Sequence, residues 1–110
     1  MALVDAATID IAFASKRNPA FTWTSSRTAV TFTISNDLFS AEAYIQFLKT
    51  TASNLVLTFP FGTLITDQDG GTTGVSGTAV TLSSTVAGDF DIYIKKRSTG
   101  YRAIIKRITA

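Results

Sequence analysis

The sequence predicts a mainly β protein: an antiparallel β-sandwich, jelly-roll-like, with one short helix. Three observations carry that expectation. Apolar and polar residues alternate through run after run, the period of strands with one buried face. Turn residues separate these runs at intervals of about 8–12 residues, the spacing of sandwiches and small barrels. Ser and Thr make up about a quarter of the 110 residues, and β-branched Thr suits the half-exposed surface of a sheet.

Ile9, Ile11 and Phe13 alternate with Thr8 and Asp10, which predicts a strand over Ala7–Ala14. Ser15-Lys16-Arg17-Asn18-Pro19 ends it, because Pro19 has no amide hydrogen for a ladder. In Ala20–Ser25, Phe21 and Trp23 oppose Thr22 and Thr24. After the turn Ser25-Ser26-Arg27, the stretch Thr28–Ser35 alternates most cleanly, with Val30, Phe32 and Ile34 inward and Thr31 and Thr33 outward. Ser35-Asn36-Asp37 stops it with side chains that bond their own backbone. The period then changes. Ala41, Tyr44, Ile45 and Leu48 stand at i, i+3, i+4 and i+7, one face of a helix. Ser40 suits an N-cap, Glu42 the first turn and Lys49 the last, so a helix is predicted over Ala41–Thr50.

Leu55, Leu57 and Phe59 predict a strand over Asn54–Phe59, ended by Pro60 and the turn Phe61-Gly62. A short strand follows over Thr63–Thr66. Asp67–Gly74 reads as an exposed loop; four of the seven glycines fall between Gly70 and Gly77. Thr78–Ser83 is a strand with Val80 and Leu82 inward, followed by the turn Val86–Asp89. A hairpin closes the chain. Phe90, Ile92 and Ile94 alternate with Asp91, Tyr93 and Lys95, Arg97-Ser98-Thr99-Gly100 turns, and Tyr101–Ile108 returns. In the returning strand Tyr101, Ala103 and Ile105 face one way, while Ile104 and Ile108 face the other. A strand that is apolar on both faces wants cover on both. A two-layer chain of this size has no layer of its own for the outer face, so another molecule is expected there.

The predicted core is Ile9, Ile11, Phe13, Phe21, Trp23, Val30, Phe32, Ile34, Leu55, Leu57, Phe59, Val80, Leu82, Ile92 and Ile94. Residues 1–7 form an expected N-terminal arm, and 8–110 a single sandwich domain.

Composition excludes several kinds of chemistry. With no Cys and no His, the chain has no thiolate or imidazole metal site, no disulfide and no Cys–His or Ser–His–Asp centre. No catalytic residue, metal or cofactor is expected. Hydrophobic residues at 45% against 16% charged oppose disorder. No apolar run approaches the roughly 18 residues that span a bilayer, and the first residues lack the basic-then-apolar stretch of a secretory signal; a membrane is not an expected partner. Ten basic and eight acidic residues, net +2, guard strand edges thinly against association. This points to a domain that lives in an assembly; a Thr-rich monomeric sandwich is the plainer alternative.

Each candidate site has two readings. Lys95, Lys96, Arg97, Arg102, Lys106 and Arg107, six of the ten basic residues, lie in the final hairpin. They either guard an edge against strand addition or meet an anionic partner. With only Tyr93 and Tyr101 among them, stacking on single-stranded bases is poorly supported, and nucleic acid is not the expected partner. Asp67-x-Asp69-Gly70 opens like a calcium loop, yet Thr78 stands where the bidentate Glu belongs, so a solvated turn is the plainer reading. Asp89 and Asp91 share one face of a strand, but nothing in the sequence places a cleft beside them, and no enzyme is expected. Trp23, Tyr44, Tyr93 and Tyr101 are either core or a surface for sugar rings. Leu3 and Val4 give residues 1–7 the character of an arm that adds to a neighbour's sheet; a loose end is the alternative.

The stretches Phe21-Thr22-Trp23-Thr24, Ala29-Val30-Thr31-Phe32-Thr33-Ile34 and Ala87-Gly88-Asp89-Phe90-Asp91-Ile92-Tyr93-Ile94 through Arg107 carry a resemblance. In size and texture the chain is similar to the capsid decoration (cement) proteins of tailed bacteriophages. The resemblance implies a non-enzymatic virion protein, made in the host cytoplasm and placed on the capsid surface. It implies homo-oligomers over junctions between copies of the major capsid protein, holding the shell against packaged DNA, several of them jelly rolls or sandwiches. No binding residue carries over from it. Read from this chain's own pattern, the expected interface is Leu3, Val4, Lys95, Lys96, Arg97, Arg102, Ile104 and Ile108. The alternative function is a receptor- or carbohydrate-binding module of a phage tail fibre.

Overall fold

The computed structural model describes residues 2–12, 20–35, 42–51, 53–60, 63–67, 73–82, 88–97 and 100–108. They form β1 (Thr8–Ala12), β2 (Ala20–Ser25), β3 (Ala29–Ser35), β4 (Glu42–Lys49), β5 (Leu55–Thr58), β6 (Thr63–Asp67), β7 (Thr73–Ser76), β8 (Ala79–Leu82), β9 (Gly88–Arg97) and β10 (Gly100–Arg107). Two five-stranded sheets result, a first in the order β1-β3-β5-β8-β7 and a second in the order β2-β4-β9-β10-β6. The mainly β, sandwich-like architecture matches the sequence pattern.

From β1 to β6 the chain alternates between the sheets, laying one strand in the first and the next in the second. Each return to a sheet therefore runs in the same direction as the previous visit. Hence β1 pairs β3, β3 pairs β5 and β2 pairs β4, all in parallel. Parallel neighbours need a crossover connection, and here the crossover is a strand of the other sheet. The β9–β10 hairpin then enters the second sheet between β4 and β6, antiparallel to β4 and parallel to β6. The mainly antiparallel sandwich expected from the sequence is thus corrected to two mixed sheets. Alternation reports which side chains point inward and says nothing of strand direction.

The predicted helix over Ala41–Thr50 is also corrected. This segment is β4, with Ala43, Ile45, Phe47 and Lys49 buried and Tyr44, Gln46 and Leu48 turned outward. Its apolar residues satisfy both periods. An isolated helix of about ten residues is marginal, whereas β4 has ladder partners on both edges, β2 and β9. Pairing on two sides decides for the strand; Ser40 and Ala41 lie outside the described residues. The expected loop Asp67–Gly74 is shorter than predicted, since Asp67 closes β6 and Thr73 opens β7. β7 returns into β8 through Gly77, whose φ of 60° lies in the left-handed region that glycine enters without a Cβ penalty. Asp69 and Gly70, of the calcium-like stretch, lie outside the described residues.

The core is shared by the sheets. Of the predicted members, Ile34 is half-buried against it, Phe13 lies outside the described residues, and the others are buried. The structure adds Ala43, Ile45 and Phe47 from β4, Phe90 from β9, and Ala103 and Ile105 from β10. Trp23 joins the layers: it stacks on Phe47 of its own sheet at 4.0 Å and meets Phe32 of the facing sheet edge-on at 5.4 Å. Its indole Nε1 donates to Asp5 Oδ1 at 3.0 Å, so the ring is buried without an orphaned donor. Buried Lys49 donates through Nζ to the carbonyl of Thr51, and Thr63 Oγ1 donates to the carbonyl of Pro60 at 2.7 Å.

The expected arm is seated on its own chain. Ala2 bridges Thr22 in parallel, and Leu3 N donates to Thr22 O at 2.8 Å, so these residues run along the outer edge of β2. Asp5 then pairs with Arg27 at 3.4 Å.

Candidate functional site

The outer face of the second sheet is where the structure gathers the side chains that its core does not use. Alternation sends Glu42, Tyr44, Gln46 and Leu48 of β4 outward. From β9 come Asp89, Asp91, Tyr93, Lys95 and Arg97, and from β10 Arg102, Ile104, Lys106 and, beyond the strand, Ile108. Register aligns them into cross-strand rows. Glu42, Lys95 and Arg102 form one row; Ala20, Tyr44, Tyr93 and Ile104 the next; then Thr22, Gln46, Asp91 and Lys106. Beyond them stand Thr24, Leu48 and Asp89, with Ile108 donating its amide to the Asp89 carbonyl at 2.9 Å.

The face therefore has three zones. In the middle runs an apolar and aromatic row, where Tyr44 and Tyr93 stack at 5.1 Å and 24°. On one side lie Lys95, Arg97 and Arg102, with Glu42 in their row. On the other lie Asp89 and Asp91, with Lys106 in register with Asp91, beside an open depression of about 360 Å³ whose walls include Thr22, Gln46, Leu48 and Ile108. Leu48 is 42% exposed and Ile108 47%, so apolar surface meets water at this end.

Tyr44 Oη donates to Asp91 Oδ1 at 2.8 Å. The Tyr44 phenol is pushed above its usual value, first by partial desolvation in the stacked pair and then by the Asp91 carboxylate that accepts its proton in the hydrogen bond. Tyr93 is raised as well, by desolvation first and by the negative charges of Asp91 and Glu42. Both rings stay neutral near pH 7, so this zone is apolar with hydroxyl tips.

Of the residues expected from the sequence, Lys95, Arg97, Arg102, Ile104 and Ile108 come together on this face. Ile104 is half-buried beside Tyr93. Lys96 has the opposite, inward parity and is half-buried opposite Tyr101 at the strand end. Leu3 and Val4 lie at the far edge, beyond β2: Leu3 packs on the core and Val4 is 82% exposed. Sequence reasoning missed Leu48 as a surface residue, because it placed it on a helix; for the same reason it offered Tyr44 as a surface aromatic without setting it beside Tyr93. It set Asp91, Tyr93 and Lys95 on one side of the strand and Asp89 with Asp91, but did not extend that side to Arg97, although all five share one parity.

The aromatic candidates divide. Trp23 is core, Tyr101 packs inward, and Tyr44 and Tyr93 turn their faces to each other. A flat platform for a sugar ring is therefore not formed by these four. Among the described residues no three of His, Cys, Asp and Glu gather as a metal site would require. Comparison of the chain with protein-family models, with curated proteins and with solved structures returns no match.

Proposed function

We propose that this chain is a non-enzymatic virion structural protein of the capsid decoration kind. It binds the outside of a phage shell at subunit junctions and stabilises it. The observation that carries the reading is the outer face of the second sheet, where Tyr44, Tyr93, Ile104, Leu48 and Ile108 stand among charges of both signs. Such a face suits burial against another molecule: an apolar middle supplies the desolvation energy, and flanking charges set orientation. The resemblance in size and texture to cement proteins names the setting, with the major capsid protein and further copies of the chain as partners. The two facing sheets are compatible with the jelly-roll-like form which that resemblance implies, in their layers though not in their parallel pairings. The mechanism is additive. Each copy contributes one interface, with stable examples burying about 1,200–2,000 Å², and many symmetry-related copies make the shell hard to open.

The alternative is a receptor- or carbohydrate-binding module of a tail fibre. The depression beside Gln46, Asp89 and Asp91 is the feature in its favour; the mutual stacking of Tyr44 and Tyr93 is against a sugar platform. Incubation with purified shells separates the readings. A decoration protein co-sediments with shells, raises their melting temperature and ignores a glycan array. Binding to glycans with no effect on shells overturns the proposal.

A further inference from the structure

The central strand of the second sheet carries an ordered set of charges. β9 is the third of five strands, and its outward side chains read Asp89, Asp91, Tyr93, Lys95, Arg97. About Tyr93 the order is antisymmetric, two carboxylates on one side and two cations on the other at matching distances. A strand of this kind is complementary to itself when reversed. The inference rests on the part of the reading above that gives further copies of the chain as partners; it names a second copy as the cover of this face, which leaves attachment to a shell to the rest of the surface.

We infer that the outer face of the second sheet pairs with the same face of a second copy, about a two-fold axis that passes through Tyr93 and runs across the strands. That axis reverses β9 against its mate, so that Asp91 meets the partner's Lys95 and Asp89 meets the partner's Arg97. Tyr44, Tyr93 and Ile104 meet their own counterparts, as an isologous interface requires. A two-fold axis along the strands does the reverse, setting Lys95 on Lys95 and Asp91 on Asp91, and like charges reject it. The depression bounded by Leu48, Asp89 and Ile108 then lies opposite the partner's Arg97. It offers apolar walls to the side-chain stem and a carboxylate to the guanidinium.

Size is adequate. Five strands about 4.8 Å apart, each of about eight residues rising about 3.3 Å, give a plan of roughly 600 Å². Sheets packed face to face with side chains interleaved approach the about 800 Å² per partner of a standard interface. Two symmetry-related contacts oppose the pairing: Arg102 of each copy falls opposite the partner's Lys106. These lie one strand from the centre, nearer solvent, where charge is better screened, and Lys106 is in register with Asp91 of its own sheet. Four opposite-charge contacts on the central strand outweigh them.

The test is a charge swap on the full chain, read by light scattering across a concentration series. The unaltered protein forms a dimer. Asp89→Lys/Asp91→Lys and Lys95→Asp/Arg97→Asp each weaken self-association by at least about 100-fold, the scale of like charge set against like. An equimolar mixture of the two variants restores a dimer containing one of each, which misfolded chains cannot do. Tyr93→Lys, a single change on the outer face at the axis, also yields monomer and serves if a double variant fails to fold. A monomer up to about 1 mM, a dimer indifferent to both swaps, or a mixture that stays monomeric overturns the inference. Shell co-sedimentation is scored separately on each species. Shells bound by a monomeric chain overturn the pairing and leave the decoration reading standing; a dimer that ignores shells does the opposite.

Discussion

The two sheets share one core and differ in what they show to solvent. The first sheet turns out mostly hydroxyls, Thr8, Asp10, Thr31, Thr33, Thr58 and Thr81, with Val56 among them and Val75 exposed on its edge strand. Its one outward carboxylate is bonded within the face: Asp10 accepts from Thr33 Oγ1 at 2.7 Å and from Ser35 Oγ at 2.6 Å, across the β1–β3 pair. The second sheet turns out tyrosines, Leu48, Ile104 and charges of both signs. Side chains alternate equally well in both, so alternation did not choose between these surfaces. A strand must match its partner layer on the inner side only. The outer side is free to be a solvated surface, as in the first sheet, or a surface awaiting cover, as in the second.

Substitutions break or sharpen that contrast. On the inner faces the sheets are equivalent. Trp23→Ala and Phe32→Ala, one from each sheet, each lose about 3–5 kcal/mol of unfolding free energy in urea titrations. A loss confined to one sheet breaks the picture of a single shared core. On the outer faces equivalence ends. Tyr93→Lys abolishes self-association, an effect of at least about 100-fold, while Thr31→Lys on the first sheet leaves association unchanged and stability within about 0.5 kcal/mol. Loss of the dimer on Thr31→Lys assigns cover to the wrong sheet. A smaller effect is expected for Asp10→Ala, which deletes the acceptor for Thr33 and Ser35 and costs about 1 kcal/mol in stability with no change in association.

The smallest effect is one of pH. Tyr44 and Tyr93 hold their protons more tightly when folded than in the unfolded chain, where tyrosine titrates near about 10. Their contribution to stability is complete below that value and is lost as pH rises from there through the raised folded values. Urea midpoints of the unaltered protein therefore fall, as pH rises past about 10, slightly more steeply than those of Tyr44→Phe/Tyr93→Phe, because solvent screens these half-buried surface positions. Equal slopes exclude a raised pair.

Much of the fold was legible residue by residue. Phe21 and Trp23 in β2, and Val30 and Phe32 in β3, were placed inward by period alone and are buried. The segment 42–49 was misread because Ile45 fits a helical face and a strand face alike, and nothing local separates the two. Its correction added Phe47 to the core and released Tyr44 to the surface, where it stacks on Tyr93. Of the site, the cations of the final hairpin and Ile104 and Ile108 were visible from the start. The antisymmetry of β9 was also present in the letters, yet it has meaning only once β9 is known to be the middle strand of an outward face.

Taken by itself, the order of residues determined which side of each strand is greasy, because alternation belongs to an extended backbone and needs no partner. Neighbours, strand direction and the choice of strand over helix at β4 were decided by the tertiary structure. Pairing joins segments far apart in the chain, and a stretch whose local preferences are balanced takes the form in which its ladder bonds and its buried side chains are both satisfied.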